Sequence, residues 1–449
     1  MLKFIDLFAG IGGLRLGFER GIASLGLRGK CVLASEIDGE ASQVYSQNFL
    51  HVPKGDIRQI KSLPKHDVLL AGFPCQSFSY AGKKQGFGET RGTLFFEIMR
   101  LVDTHKPKVL ILENVRGLTT HDHGKTLATI KHEIKLRGYS FYQFILNSVN
   151  FGLPQNRVRV YMIGVLDASP QFNLISDLGP KDSHSYNAVK FNLFSLNHFP
   201  PKVKDILEEN PDSSFDCSPQ FVDALNKVIQ GDFNKLHGVR LIDYRGGNSI
   251  HSWELGLRGD CSEDEIKLMN LLITERRKKK FGQHQDGKQL TREQIASFFE
   301  HPKLTHLLES LVTKRYLKVI NGRYKPVSGN FSFEVYKFLD PEKVSVTLVA
   351  SDANRIGVYY NNRVRRITPR EAARLQGFPD DFQLHPNPSK AFYQLGNSVS
   401  INVITAITQD VINQVFNNNC PELPLLHLNQ PKENVYSIAE LNPICHDRE

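Results

Sequence analysis

The 449-residue sequence predicts an α/β protein built on a mostly parallel sheet, and three observations predict it. Short β-rich runs (KFIDLF, CVLASE, HDVLLAG, KVLILEN) alternate with helical periodicity up to about residue 165, the rhythm of parallel strands joined by crossover helices. The runs SFYQFILNSV and VRVYMIGV follow, separated by a Gly/Pro/polar turn, and predict neighbouring strands of a terminal hairpin. The first run ends in FAGIGG, a glycine-rich turn into a helix where a ligand can approach the backbone.

The chain is longer than a single hydrophobic core sustains, so a large and a smaller body are expected. Beyond Asp167 the alternation breaks, and the segment to about Asn361 is irregular and richer in Asn, Ser and Lys, as expected of an inserted domain. Within it, Thr291 and Gln294 form a capping box. Leu304, Leu307, Leu308, Leu311 and Val312 mark one face of a second helix. Asn321-Gly322 predicts a type I′ hairpin. Helix, helix, hairpin is the order of a winged-helix unit, but also of plain structural subdomains, which is the reading preferred here. The basic run ERRKKK, residues 275–280, reads as a solvated helix face. After Arg363 regularity returns in ITPREAARLQGF and VSINVITAITQDVINQVF, two helices expected to rejoin the first domain. The expected organisation is residues 1–166, an insert at 167–362, a returning segment at 363–416 and a tail at 417–449 without visible chemistry.

The net charge of +9 suits a polyanion-binding surface. The start of the chain leads directly into a strand pattern with no signal-peptide regions, and no apolar run reaches membrane-spanning length, so a cytoplasmic location without membrane association is expected. Six scattered cysteines form no CxxC pair and no metal-ligand cluster; they read as reduced thiols, and no metal is expected.

Ligands of open parallel sheets bind beyond the carboxyl ends of the strands. There the sequence places Phe8, Ala9, Gly10, Ile11, Gly12 and Gly13, then Glu36, suited to ribose hydroxyls, then Asp56 and Ile57, suited to an adenine edge. Up to this point a dinucleotide dehydrogenase explains the pattern equally well. The next strand ends in Gly72, Phe73, Pro74, Cys75 and Gln76, a turn that carries a thiol among polar neighbours, and the following one ends in Glu113. An acid and a nucleophile then share one edge. Arg157 and Arg159, two residues apart at β spacing, are expected to point into one pocket.

With these residues in place the chain resembles the DNA (cytosine-5) methyltransferase family. DLFAGIGG, GFPCQSFS with GKKQGFGETRGTLFFE, ENVRGL, QNRVRV, RRITPREAARLQGFPDDF and QLGNSVSINVI occur in the family's order, over residues 1–165 and 363–410. The resemblance implies a Rossmann-like S-adenosylmethionine-dependent sheet with helices on both faces and a smaller inserted target-recognition domain. It implies that Cys75 adds to carbon 6 of a flipped-out cytosine, that protonated Glu113 engages N3, and that Arg157 and Arg159 hold the O2 side. Phe8, Ala9, Gly10, Ile11, Gly12, Gly13, Glu36, Ile37, Asp56, Ile57 and Pro74, with Asn397, Ser398 and Val399 from the returning segment, would surround S-adenosylmethionine, which leaves as S-adenosylhomocysteine. Gln76, Ser79 and Arg91 of the cysteine loop, and Thr347 and Leu348, would contact double-stranded DNA. The implied setting is a monomer on DNA, paired functionally with a restriction endonuclease.

The insert is long for this family, which leaves the recognised sequence open. A tRNA cytosine-5 methyltransferase and a catalytically silent DNA-binding regulator stand as alternatives. The dehydrogenase reading falls away, since it accounts for neither Cys75 with Glu113 nor the GNSV segment.

Overall fold

The computed structural model describes residues 1–74, 94–176, 201–282, 288–327 and 333–416. Cys75, Gln76, Ser79 and Arg91, and the tail from residue 417, lie outside the described residues. The chain divides into two compact units, the first comprising residues 1–206, 344–353 and 369–449, the second 207–343 and 354–368.

The first unit is an α/β layer structure. Strands β1 (Leu2–Leu7), β2 (Gly29–Ser35), β3 (Val68–Gly72), β4 (Val109–Val115), β5 (Tyr139–Asn147) and β6 (Val158–Leu166) form one sheet in the order β2-β1-β3-β4-β6-β5. The first four are parallel, whereas β6 runs antiparallel between β4 and β5. Because β1 pairs with β2 on one side and β3 on the other, the strand order reverses at β1, and the crevice beyond its carboxyl end is where such sheets bind ligands. Four strands and the hairpin coincide with the sequence reading. The segment before Asp56 does not form a strand; it contributes a single bridge, Lys54 to Ser35, and a short 3-10 turn, Ile57–Gln59.

Alternation along the strands divides the sheet into two faces. Ile5, Leu7, Leu69, Ala71, Leu110, Leu112, Val160 and Met162 pack in one core with Phe95, Ile98, Met99 and Val102 of α2 (Leu94–Thr104) and Ile130 and Ile134 of α3 (Lys125–Leu136). The opposite face meets α1 (Gly13–Ala23), with the Phe4 and Phe18 rings 4.8 Å apart. On its far side α1 packs against the helix Ile401–Val411. The contact is made through glycines spaced four apart. A Cβ at Gly17 would lie 2.5 Å from Ile404 Cβ, and one at Gly21 2.5 Å from Thr408 Cβ. The absence of side chains there lets the two helix backbones approach closely.

Among its described residues the second unit has two cores. One lies beneath a five-stranded sheet that includes Ile356–Tyr360 and Arg363–Arg366. The other is helical and centres on Trp253, Leu268, Leu272, Leu308 and Leu311. The capping box forms as expected, since Thr291 Oγ1 accepts the Gln294 N–H and Gln294 Oε1 accepts the Thr291 N–H. Leu304, Leu307, Leu308 and Leu311 are buried in the helix Leu304–Thr313. Asn321 and Gly322 have φ of 49° and 71° and join Leu317–Ile320 to Arg323–Pro326 as an antiparallel hairpin. The unit boundaries fall elsewhere than composition suggests: residues 344–353 belong with the first unit and 363–368 with the second. Hydrogen-bond pairing decides this, because Ser345 bridges to Gln155, and Arg363–Arg366 pairs with Ile356–Tyr360.

Candidate active site

The glycine turn is shaped by left-handed backbone. Phe8, Gly10 and Gly12 have φ of 57°, 54° and 92°, a region that costs a side chain such as Phe8's and costs glycine nothing. Among the described residues a Cβ at Gly10 would meet no atom within 4 Å, so a ligand can approach that backbone, whereas at Gly12 it would strike the Phe49 ring at 2.1 Å. Glu36 closes the turn by accepting the Gly10 N–H at 2.7 Å and the Asp38 N–H at 2.8 Å. A carboxylate offers about four lone-pair directions, so two remain for other donors. Beside it Ile37 is 71% exposed, an apolar side chain open to a ring.

Other expected cofactor residues stand differently. Ala9, Ile11, Ile57 and Val399 are buried and can present only backbone to a ligand. Asp56 caps the turn Ile57–Gln59 and is held by Arg58 at 2.5 Å, an ion pair that keeps its carboxyl below the usual range. Pro74 is exposed at the end of the β3 turn. That turn is fixed from β4: Asn114 is buried and its Nδ2 donates to the Phe73 carbonyl at 2.7 Å, one residue before Pro74.

Glu113 is paired directly with Gly72, at the base of the turn that leads to Cys75, and with Tyr161 on its other side. Arg159 is the diagonal neighbour on the same face, its Nε 3.3 Å from Glu113 Oε1. Burial raises the Glu113 carboxyl above its ordinary value, opposed by the charges of Arg159 and Arg157. The site therefore holds a carboxyl biased towards its protonated form next to a cation that limits the bias.

Arg157 does not share this arrangement. Its guanidinium is buried and donates to three carbonyls, Leu348 at 2.8 Å, Gly396 at 3.2 Å, and Ser398. Burial lowers its pKa to about 9. The expectation that both guanidinium groups open into one pocket is thus corrected: strand alternation puts them on one side, but unsatisfied carbonyls of two other segments claim Arg157. Leu348, expected at the DNA, is fully buried, its N–H taken by Gln155 Oε1 at 2.9 Å and its carbonyl by Arg157. Thr347 is half-buried and donates to the Asn156 carbonyl at 2.5 Å. These two residues belong to a clasp inside the first unit.

The clasp reaches the glycine turn. A Cβ at Gly396 would lie 2.4 Å from Ala350 N, and one at Gly13 2.5 Å from Ser398 Oγ. Asn397 is exposed where the helix Pro388–Asn397 ends. Residues 155–157, 346–350 and 396–399 therefore hold one another and set Ser398 and Val399 against the glycine turn. Sequence reasoning passes over three contributors. Gln155 is buried and joins Leu348 to the Leu375 carbonyl, Asn114 pins Phe73, and Gly17 with Gly21 seats the helix Ile401–Val411. Asn114 and Gln155 lie within the ENVRGL and QNRVRV motifs, which mark them without giving them a role, and the glycines are marked by their spacing of four.

A family model described as C-5 cytosine-specific DNA methylase matches residues 2–413. The chain is 57% identical over 413 residues to the Type II methyltransferase M.HgiCI of Herpetosiphon aurantiacus, covering 92% of this chain and 98% of the relative. It is 54% identical over 422 residues to the Type II methyltransferase M.BanI of Aneurinibacillus aneurinilyticus, covering 94% and 97%. In fold it is similar to the crystal structure of a prophage-encoded DNA modification methyltransferase (E. coli), with a TM-score of 0.50, 23% identity and coverage of 93% and 100%. A match over nearly the whole chain, around a buried acid, a glycine turn and a strand-order reversal, means that the protein belongs to the C-5 cytosine-specific DNA methylase family.

Proposed function

We propose that the crevice beyond β1, β3 and β4 brings S-adenosylmethionine and a flipped-out cytosine together, and that Cys75 and Glu113 carry the chemistry of this DNA (cytosine-5-)-methyltransferase. When bound, S-adenosylmethionine supplies an electrophilic methyl group on a sulfonium. Among the described residues, the space over Gly10, the Glu36 lone pairs not taken by Gly10 and Asp38, and the exposed Ile37 fit its methionine part, ribose and ring.

Cytosine carbon 5 is too weak a nucleophile to take the methyl group unaided. In the proposed sequence the Cys75 thiolate forms a bond to carbon 6 while protonated Glu113 donates to N3, so that electron density moves onto carbon 5. Carbon 5 would then take the methyl group, leaving S-adenosylhomocysteine; its proton would pass to a base, the bond to Cys75 would break to restore the 5,6 double bond and the thiolate, and N3 would return its proton to Glu113. Arg159 holds the Glu113 carboxyl in place and keeps its pKa from rising further. Arg157 acts at one remove, through the clasp. The observation that carries the reading is Glu113 itself, a buried acid with a raised pKa set opposite Gly72 at the root of the cysteine turn. The described cysteines support the choice of thiol: burial raises Cys31 and Cys217 to about 12 and Cys261 to about 11, which makes them poor nucleophiles.

Duplex DNA is the proposed partner, entered by a monomer that flips its target base. A restriction endonuclease of the same specificity, in the same cytoplasm, is the proposed counterpart, as the Type II names of the relatives suggest. Among the described residues no helix is long and apolar enough to cross a membrane. The test is bisulfite sequencing of host DNA after expression. Protection of one cytosine within one short sequence is expected, abolished by Glu113→Gln; unprotected DNA in cells that contain the folded protein contradicts the reading.

A further inference from the structure

The basic surplus of the chain is concentrated in about one seventh of its length. Residues 262–327 hold 14 Lys and Arg against 8 Asp and Glu, a net of +6, whereas the rest holds 42 against 39. This segment folds as a recognisable module. The helix Glu263–Glu275 is followed by a bridge from Leu290 to Tyr324, the helices Arg292–Ala296 and Leu304–Thr313, and the hairpin Leu317–Ile320 with Arg323–Pro326. Helix, strand, helix, helix and a two-stranded wing around one apolar core is the winged-helix order, and the bridge at Leu290 supplies the strand that the sequence pattern omits.

The cations gather on one part of the module. The first helix ends at Glu275, so Lys278, Lys279 and Lys280 project from the following turn, all three exposed, and do not continue a helix face. Lys288 ties that turn to the bridging strand, donating to the carbonyls of Lys278 at 2.9 Å and Gly282 at 2.7 Å. Arg323 ties the wing to the same strand through the Gln289 carbonyl at 3.4 Å. In the wing, Lys318 and Lys325 stand directly opposite each other, a like-charge pair that costs stability unless an anion lies between. Glu275 neutralises part of this surface by pairing with Lys278 at 2.6 Å. The acidic Glu263, Asp264 and Glu265 sit at the other end of a 13-residue helix, about 20 Å away. The third helix exposes Thr305, His306, Glu309 and Thr313, without the Arg, Asn or Gln residues that read base edges best.

We propose that this winged-helix module grips the phosphate backbone of duplex DNA through Lys278, Lys279 and Lys280 and the wing residues Lys318, Arg323 and Lys325, adding affinity without adding sequence preference. The inference rests on duplex DNA as the substrate. Two full-length variants test it, Lys278→Gln/Lys279→Gln/Lys280→Gln and Lys318→Gln/Lys325→Gln, with the triple Lys→Arg variant as a charge-preserving control. Binding is measured to a methylatable duplex and to one of unrelated sequence over a range of salt. The expected result is an equal loss for both duplexes, at least about tenfold at low salt, with the log K against log salt slope shallower by roughly two to three for the triple Gln variant. The rate at saturating DNA and the affinity for S-adenosylmethionine stay unchanged, and the Arg variant binds like wild type. An unaltered slope in both Gln variants overturns the inference, as does a loss confined to the methylatable duplex. Methylation by the wild-type protein, read in parallel, tests the substrate reading separately: binding that ignores these lysines while methylation proceeds refutes the clamp alone.

Discussion

Replacing Arg157 and Arg159 in turn by Met should separate two roles that their spacing makes look alike. Arg157 is buried and makes three bonds to carbonyls of residues 348, 396 and 398. Hydrogen bonds to charged donors are worth about 1.5–3 kcal/mol each, or roughly 5–9 together, and release of a buried guanidinium returns several kcal/mol, which leaves a net loss of about 3 kcal/mol. That corresponds to a shift of roughly 150-fold in the equilibrium that keeps the clasp closed. Because Ser398 lies where a Gly13 side chain would be, an opened clasp disturbs the glycine turn proposed to bind the cofactor, so Arg157→Met should lose stability to urea and affinity for S-adenosylmethionine together. Arg159→Met removes one partly screened contact at 3.3 Å from Glu113, and should stay within about 1 kcal/mol of wild-type stability while its rate falls about tenfold to a hundredfold. Urea unfolding, calorimetric cofactor binding and single-turnover methylation measure the three quantities. An Arg157→Met protein with wild-type stability and cofactor affinity but no turnover would refute the clasp and return Arg157 to the substrate.

Three further outcomes are expected. The proposed mechanism requires protonated Glu113, so the rate should fall as pH rises through the raised pKa; Arg159→Met removes a charge that lowers this pKa, so the limb should move to higher pH, and a pH–rate profile that moves the other way contradicts the pairing. Asp6 is fully buried, and burial pushes its carboxyl up to about 8 against the opposing influence of Arg15 and the Tyr45 hydroxyl. A raised folded pKa favours the protonated carboxyl, so its contribution is fully present below about pH 4 and is lost as pH rises to about 8, with a slope of at most about 1.4 kcal/mol per pH unit. Denaturant midpoints across this range should flatten in Asp6→Asn. Gly17→Ala forces a Cβ to within 2.5 Å of Ile404 and 2.9 Å of the Ile401 carbonyl. Overpacking of about 1–3 kcal/mol should outweigh a helix-propensity gain of about 1 kcal/mol, and a stabilised variant would show that the helices separate freely.

The sheet was legible because β-rich runs and glycine turns are local signals. The four parallel strands, the terminal hairpin, the capping box at Thr291 and the hairpin at Asn321-Gly322 all follow from neighbours in sequence. Glu113 was legible for the same reason, as a carboxylate following an apolar run. Arg157 was not, because its partners are 191 to 241 residues away and are backbone carbonyls, which no residue pattern marks. Leu348 illustrates the same limit: a two-residue match carries no information on burial. The winged-helix order was half visible, since the strand at Leu290 consists of one bridged residue with no β-rich run to betray it.

The proposed chemistry rests on Cys75 as the attacking thiol and carbon 5 of cytosine as the methyl acceptor. Duplex DNA that carries 5-fluorocytosine at the methylated position, incubated with protein and S-adenosylmethionine, tests both at once, because fluorine cannot leave as a proton does and the covalent complex persists. The account predicts a denaturation-resistant protein–DNA adduct whose cross-linked peptide contains Cys75, absent from Cys75→Ser, together with 5-methylcytosine as the product on unmodified DNA. An adduct through another residue, wild-type methylation by Cys75→Ser, or a methyl group found on an exocyclic nitrogen would contradict it.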